Sequence, residues 1–196
     1  RSIIYKSEEY IVTSIRKKSF SDSNIKSIKF SPDSELKKIE KEAFSNSQIE
    51  SILIPSTVSD LEEGWFHKAP NLNKVTVMKD NQYYKNFEDD QLVFGKSCNE
   101  STEFDVLIFA SRSIKELKIP ANVKRIASYL FSYSSIESVF ISQNVESIGE
   151  FAFSNCQSLQ KVEIPTDSGL RKIDKHSFSF SSIEYFFIPR HVCQIC

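Results

Sequence analysis

The chain has 196 residues, of which 40% are hydrophobic, and a formal net charge of −1. Such a composition is ordinary for a folded protein, and a nearly neutral chain lacks the basic face that nucleic acids or anionic membranes require of a main partner. Its longest apolar runs, such as 106–110, cover only a fraction of a membrane span, so we predict no membrane insertion.

A unit with a fixed pattern of apolar residues recurs along the chain at intervals of roughly 22 residues. Its clearest copy carries Val145, Ile148, Phe153, Leu159, Val162 and Ile164, and the central phenylalanine recurs at positions 20, 44, 66, 131, 153 and 178. Repeats of this length are typical of solenoids, because each unit can bury its apolar face only against its neighbours. We therefore predict one solenoid over 1–196. Val192 and Ile195 begin a further unit just before the chain stops, which indicates a fragment of a longer protein.

Taken in order, residues before Val12 are either a partial unit or a strand that covers the end of the stack. Each full unit ends in a short alternating segment that predicts a half-buried strand, and proline follows four of them. The predicted strands, which should form one parallel sheet, are 25–30, 49–54, 72–77, 114–119, 136–141, 159–164 and 183–188. The segments between units, such as 127–135, are too short for stable helices and predict single 3₁₀ or α-helical turns.

Residues 78–113 break the period. Two apolar runs, 92–94 and 106–109, flank a polar stretch and predict a hairpin in the place of one unit. Asn99 begins an N-glycosylation sequon at the predicted tip, which makes it a possible glycosylation site if the protein is secreted.

The pattern V-x-x-I-x-x-x-A-F-x-x-x-x-x-L-x-x-V-x-I-P resembles the BspA-like leucine-rich repeats of bacterial and protozoan surface antigens. The runs D-D-Q-L-V-F and V-L-I-F resemble that family's hairpin insert. The resemblance implies an α/β repeat solenoid, a right-handed superhelix with short parallel strands on its concave side and the short helical turns on its convex side. It also implies adhesion or protein binding without catalysis. The usual asparagine after the strand is replaced by Val58, Val123 or Val145, so we expect an apolar ladder there instead of an asparagine ladder.

No residue pattern indicates catalysis, a cofactor or a metal. His67, His176 and His191 share no column of adjacent units, and solvated surface histidines are the favoured interpretation. The chain has no G-x-S-x-G, phosphate loop or dinucleotide motif. Cys193 and Cys196 have the spacing of a redox or zinc pair, but a zinc site needs four ligands and no second pair exists. Cys98 and Cys156 belong to distant units and should be free thiols, with Cys156 at a position for a small packed residue.

Binding is best sought on the predicted concave face. Its outward positions are mostly small and polar in the N-terminal half but aromatic in the C-terminal half. Clustered exposed aromatics indicate a partner, although units beyond the C-terminal end would cover some of them. The candidate binding residues are Leu53, Phe140, Lys161, Glu163, Tyr185 and Phe187.

The sequence thus predicts a surface or secreted repeat protein that binds a macromolecule, possibly a host matrix or cell-surface protein, through its concave sheet. An intracellular scaffold with the same fold is the alternative. An enzyme would require a further domain outside this chain.

Overall fold

A computed structural model of the chain describes residues 2–5, 8–31, 33–87 and 90–196, with side chains from Ile11 onward. Within these ranges the chain forms short strands and no helix, and the repeats build a β-solenoid. The strands are β1 (Ser2–Tyr5), β2 (Glu8–Ile11), β3 (Ser14–Ile15), β4 (Ser27–Ile28), β5 (Lys38–Ile39), β6 (Ser51–Ile54), β7 (Asp60–Leu61), β8 (Lys74–Val77), β9 (Tyr84–Phe87), β10 (Leu92–Gly95), β11 (Val106–Ala110), β12 (Glu116–Lys118), β13 (Arg125–Ile126), β14 (Ser138–Phe140), β15 (Ser147–Ile148), β16 (Lys161–Glu163), β17 (Lys172–Ile173) and β18 (Gln194–Ile195).

Most coils of the solenoid contribute two strands. The V-x-x-I segments pair in parallel as a corner ladder, in which β3, β5 and β7 precede the 78–113 insertion and β13, β15, β17 and β18 follow it. The I-x-x-I-x-I segments form a second ladder of β4, β6 and β8 and then of β12, β14 and β16. We call the outward side of this second ladder the strand face. Successive strands pair in the same register, so the corner ladder buries one apolar column and β6 and β8 of the second ladder bury two.

The segments around the central phenylalanines are turns, and the predicted 3₁₀ or α-helical turns are wrong. Two residues in each turn, such as Phe151 (φ 54°) and Asn155 (φ 58°), have a left-handed backbone. A left-handed residue ends a run of helical dihedrals, so consecutive helical hydrogen bonds cannot form. Instead, successive backbone N–H groups alternate between acceptors in their own turn and acceptors in the next coil. Ser154 N donates within its turn to Phe151 O at 3.1 Å, whereas Phe153 N donates to Ser177 O of the next coil at 2.7 Å. The turns therefore bond coil to coil as a sheet does.

The recurring phenylalanines of the repeat form a stacked ladder that is interrupted. Phe131, Phe153 and Phe178 stack with centroid distances of 4.8 and 5.1 Å, and Phe20 stacks on Phe44 at 5.1 Å. Phe66 does not continue either stack, because it meets other aromatic rings edge-on, including Phe109 of the insertion at 5.4 Å. The insertion thus divides the ladder in two.

The insertion also divides the strand ladder. β10 and β11 pair antiparallel, as predicted, and β9 adds to β10. β11 then joins the corner ladder through β13, so the insertion does not extend the strand ladder. The predicted single parallel sheet is therefore wrong: the strand ladder consists of two separate three-stranded sheets. The amide of Asn86 closes the free edge of β8 by accepting from Val77 N and donating to Val75 O. Residues 183–188, at the outer side of β16, form no strand.

The expected apolar ladder is confirmed, since Val58, Val123 and Val145 are fully buried. The expected loss of a polar ladder is wrong. One residue earlier, Asn144 Nδ2 donates to Ala121 O at 2.8 Å and Asn122 Nδ2 donates to Phe104 O at 2.9 Å. The side-chain amides therefore tie neighbouring coils together from the position beside the valines.

Candidate binding site

The C-terminal part of the strand face consists of β12, β14 and β16 in register. Lys118, Phe140 and Glu163 lie side by side across these strands. Phe140 is half-buried, and the Lys118 ammonium lies 5.3 Å from its ring centre. Glu163 forms an ion pair with Lys161 of the same strand, and this hydrogen bond raises the pKa of Lys161. The surface is thus an aromatic ring flanked by opposite charges.

The two aromatic candidates near the C-terminal end are strongly exposed, with 87% of Tyr185 and 53% of Phe187 accessible to solvent. Tyr185 shares a groove of about 500 Å³ with Lys161 and Glu163. Phe187 lines a different hollow with Asp167 and Arg190. The structure therefore brings Tyr185, Lys161 and Glu163 together, with Phe140 on the adjacent strand. It does not place Phe187 in the same groove.

Leu53 lies apart from this group. It is half-buried on β6, which belongs to the other three-stranded sheet, before the insertion. Asn99 is exposed in the connection between β10 and β11, as predicted. All four cysteines are free thiols, and Cys156 is fully buried, with its Sγ 3.0 Å from Phe131 O. Within the described residues no group of three or more His, Cys, Asp or Glu side chains is arranged to hold a metal ion.

Sequence reasoning missed an interface between the turns at 62–69 and 127–134 that is held by side chains. We call this interface the seam. The insertion lies between the two turns in the sequence, yet they face each other in space. Among the described residues no backbone hydrogen bond joins these two turns. Glu63 instead accepts from Ser128 N at 2.7 Å and forms an ion pair with Arg125. Gly64 (φ 81°) allows the close approach, since an added Cβ would lie 3.0 Å from the Tyr129 ring.

Two basic side chains lie at this seam, Arg112 buried and His67 half-buried. Arg112 is 4% exposed and donates to Leu130 O at 3.0 Å, yet its Nε and Nη2 have no hydrogen-bond partner in the described part of the chain. Burial lowers its pKa to about 10. His67 packs between Tyr129 and Tyr133 at 5.1 and 5.5 Å, and burial lowers its pKa to about 4. The prediction of a solvated surface histidine is thus wrong for His67. The repeat pattern alone did not show that the turn of His67 packs against the turn of Tyr129 and Tyr133.

Comparisons with known proteins agree with the repeat fold. The family model described as "BspA type Leucine rich repeat region" matches 5–92 and 91–196, with six copies. A leucine rich cell surface protein from Faecalibacterium prausnitzii is similar in structure, with 27% identity and a TM-score of 0.75, over 94% of this chain and 47% of that one. The pneumococcal vaccine antigen PcpA is similar at 26% identity and a TM-score of 0.70, over 80% of this chain and 38% of that one.

A leucine-rich repeat protein from Eubacterium ventriosum shares the fold at 16% identity and a TM-score of 0.58, over 92% of this chain and 71% of that one. The chain spans less than half the length of PcpA and of the Faecalibacterium protein. The search of curated proteins gives no match. In the described residues no helix has the length and apolar character needed to cross a membrane.

Proposed function

The chain belongs to the BspA-type leucine-rich repeat family, and from that premise we propose that it is a non-enzymatic binding module of a surface or secreted protein. Its partner is a protein, such as a host matrix or cell-surface protein, held on the strand face. The surface assignment is supported by the similar proteins, one a pneumococcal vaccine antigen and one a cell surface protein. Glycosylation of Asn99 would accompany such a location.

The observation that carries the binding site is a group of aromatic rings, two exposed and one half-buried, beside an ion pair. Phe140, Tyr185 and Phe187 lie on or next to the last strands of the strand face, with Lys161 and Glu163 between them. Exposed aromatic rings contribute most energy per residue at protein interfaces, and charges at the rim set orientation. The open grooves suit a polypeptide laid across the strands. Leu53 belongs to this site only if the partner also spans the insertion.

The test is a binding assay of the protein against purified matrix and cell-surface proteins, followed by variants measured with any partner found. Phe140→Ala, Tyr185→Ala and Phe187→Ala should each weaken binding by more than about 1 kcal/mol. Lys29→Ala, an exposed lysine next to β4 at the other end of the stack, is the matched control and should leave affinity unchanged. Unchanged binding by all three aromatic variants would remove the strand face as the site.

One observation favours an intracellular scaffold instead, namely that all four cysteines are free, as is usual in reducing compartments. Protease treatment of intact source cells separates the two locations. Digestion of this domain, or a glycan on Asn99, supports the surface protein, whereas full protection and unmodified Asn99 support the scaffold.

A further inference from the structure

A groove of about 700 Å³ lies away from the strand face, between the insertion and the corners of the C-terminal coils. One wall consists of Lys85 and Phe87 on β9 with Phe94 on β10. The other wall consists of the corner residues of three successive coils, around Asn122, Asn144 and Arg171. The proposed protein-binding function uses none of these residues.

Phe87 gives the groove an apolar platform. Half of its side chain, 51%, is exposed, although the ring is held by an edge contact of 5.8 Å with buried Phe94. A fixed ring with an open face offers a surface on which another flat, partly apolar group can pack.

The opposite wall offers side-chain oxygens rather than a free strand edge. The backbone carbonyls of Phe104 and Ala121 already accept from Asn122 and Asn144, and Gln143 O accepts from Gly169 N at 2.8 Å. These bonds use the Nδ2 group of each asparagine and fix its amide plane. Among the described residues neither Oδ1 atom accepts a hydrogen bond, so two acceptors lie on successive coils, which are about 4.8 Å apart in a parallel ladder.

The groove also presents two cations to a ligand. Lys124 is not one of them, because it pairs with Glu103 at 2.9 Å and Asp105 at 3.8 Å, and the bond to Glu103 raises the pKa of Lys124. Lys85 and Arg171, one on each wall, make no ion pair within the described residues. The lining also contains Glu146, so a ligand would meet two cations on facing walls and one carboxylate besides the Lys124 pair.

We propose that this groove binds an acidic glycan that carries carboxylate groups. Sugar rings present C–H faces that pack on Phe87 and hydroxyls that donate to the Oδ1 atoms of Asn122 and Asn144. The carboxylate pairs with Arg171 or Lys85, since a guanidinium binds a carboxylate through two parallel hydrogen bonds. An extended peptide is less favoured, because it would find the corner carbonyls already bonded.

The test uses hyaluronan oligosaccharides as the probe in isothermal titration calorimetry with the whole chain. Two matched probes accompany it: the same oligosaccharides with their carboxylates reduced to alcohols, and polyglutamate of similar charge. The acidic oligosaccharide should bind at least about tenfold more tightly than either probe, since ring packing and charge both contribute. Equal binding of polyglutamate would indicate a peptide or a purely electrostatic site and would overturn the proposal.

Variants locate the site. Phe87→Ala and Arg171→Gln should each weaken the acidic oligosaccharide roughly tenfold, which corresponds to about 1.4 kcal/mol. Lys37→Gln, an exposed lysine at the same coil position as Arg171 but before the insertion, should change nothing. Arg171 is exposed, so its variant keeps the test valid even if Phe87→Ala unfolds. Loss of binding in Lys37→Gln, or none in Arg171→Gln, would place binding elsewhere. The result does not depend on the strand face, which has its own partner assay.

Discussion

The coils before and after the insertion have the same turn backbone but place different side chains at its left-handed positions. Before the insertion these positions hold polar residues or glycine: Lys18, Asp22, Glu42, Asn46, Gly64 and Lys68. After it they hold mostly aromatics: Tyr129, Tyr133, Phe151, Asn155, His176 and Phe180. A bulky residue with positive φ is uncommon and costs about 1 kcal/mol or more relative to glycine. Most turns on both sides of the insertion therefore carry a left-handed cost, which only Gly64 escapes, and the C-terminal turns place bulky rings at these positions.

Part of that strain is offset by ring stacking. Tyr129, Phe151 and His176 stack along the outside of the turns at 5.2 and 4.9 Å. The phenylalanine stack beneath them is likewise unbroken in these coils. Stability in the C-terminal half thus rests on repeated aromatic contacts between identical positions. The junction between the halves rests instead on the unique side chains of the seam. Substitutions that disturb either the aromatic stacks or the seam, but not both, test whether the two regions are stabilised differently.

The largest effect is expected for Phe153→Ala. Phe153 is fully buried between Phe131 and Phe178, so its removal should lower the free energy of unfolding by about 3–5 kcal/mol. Lys161→Ala, on the exposed side of β16, should cost less than about 0.5 kcal/mol. Urea denaturation gives both values, and similar midpoints for the two variants would contradict the stacked core.

Gly149→Ala should cost about 2–3 kcal/mol, as forced overpacking does. A Cβ at Gly149 would lie 2.5 Å from Ser128 N and 2.9 Å from Ala127 C, and neither backbone atom can move alone. A Cβ at Gly169 would lie 3.2 Å from Gln143 O and 4.0 Å from Val145 O, so Gly169→Ala should cost clearly less. Equal losses in thermal unfolding would show that the coils are not this closely spaced at Ser128.

Arg112→Met tests the seam. The guanidinium is buried without a carboxylate partner in the described residues, and removing an unpaired buried charge while keeping its volume is commonly neutral or stabilising. We expect the variant to equal the parent or exceed it by about 1–2 kcal/mol in chemical denaturation. A loss of similar size would mean that the bond to Leu130 O outweighs the cost of burying the charge.

His67 should make stability depend on pH. Its pKa is about 4 in the folded protein against an ordinary 6.5, so above 6.5 it is neutral in both states and contributes nothing. As the pH falls from 6.5 to 4, His67 binds a proton in the unfolded chain but not in the folded chain, so the free energy of unfolding decreases. The parent should therefore lose a few degrees of melting temperature in this window relative to His67→Gln. His176→Gln, at an exposed histidine, is the control, and parallel curves for parent and His67→Gln would refute the assignment.

The smallest effect is expected for Phe180→Asn. Phe180 has φ 59° and is 79% exposed, so little burial of its ring offsets the cost of the left-handed backbone. Asparagine tolerates this conformation better, and the variant should gain up to about 1 kcal/mol. The reverse change at the equivalent position of the preceding turn, Asn155→Phe, should lose a similar amount. A destabilised Phe180→Asn protein would show that the ring makes contacts that offset its strain.

The sequence by itself determined the repeat and its buried columns. Val58, Ile148, Phe153 and Leu159 were assigned to the core from spacing alone, because a solenoid buries the same position in every coil. The small buried site of Cys156 followed from the same pattern. The hairpin followed from two apolar runs where that pattern is interrupted. Strand alternation also predicted that Phe140 lies on the outward side of its strand, where it is half-buried, whereas Tyr185 and Phe187 are exposed in a segment that forms no strand.

The tertiary structure alone decided the turn conformation, the split of the strand ladder and the seam. Left-handed backbone at positions such as Phe151 is set by hydrogen bonds to the next coil, and the local sequence favours the opposite. The meeting of Glu63 with Ser128 and of His67 with Tyr129 depends on where the insertion leaves the stack. Such contacts join residues that are far apart in the chain and occur only once, so no repeating pattern could reveal them.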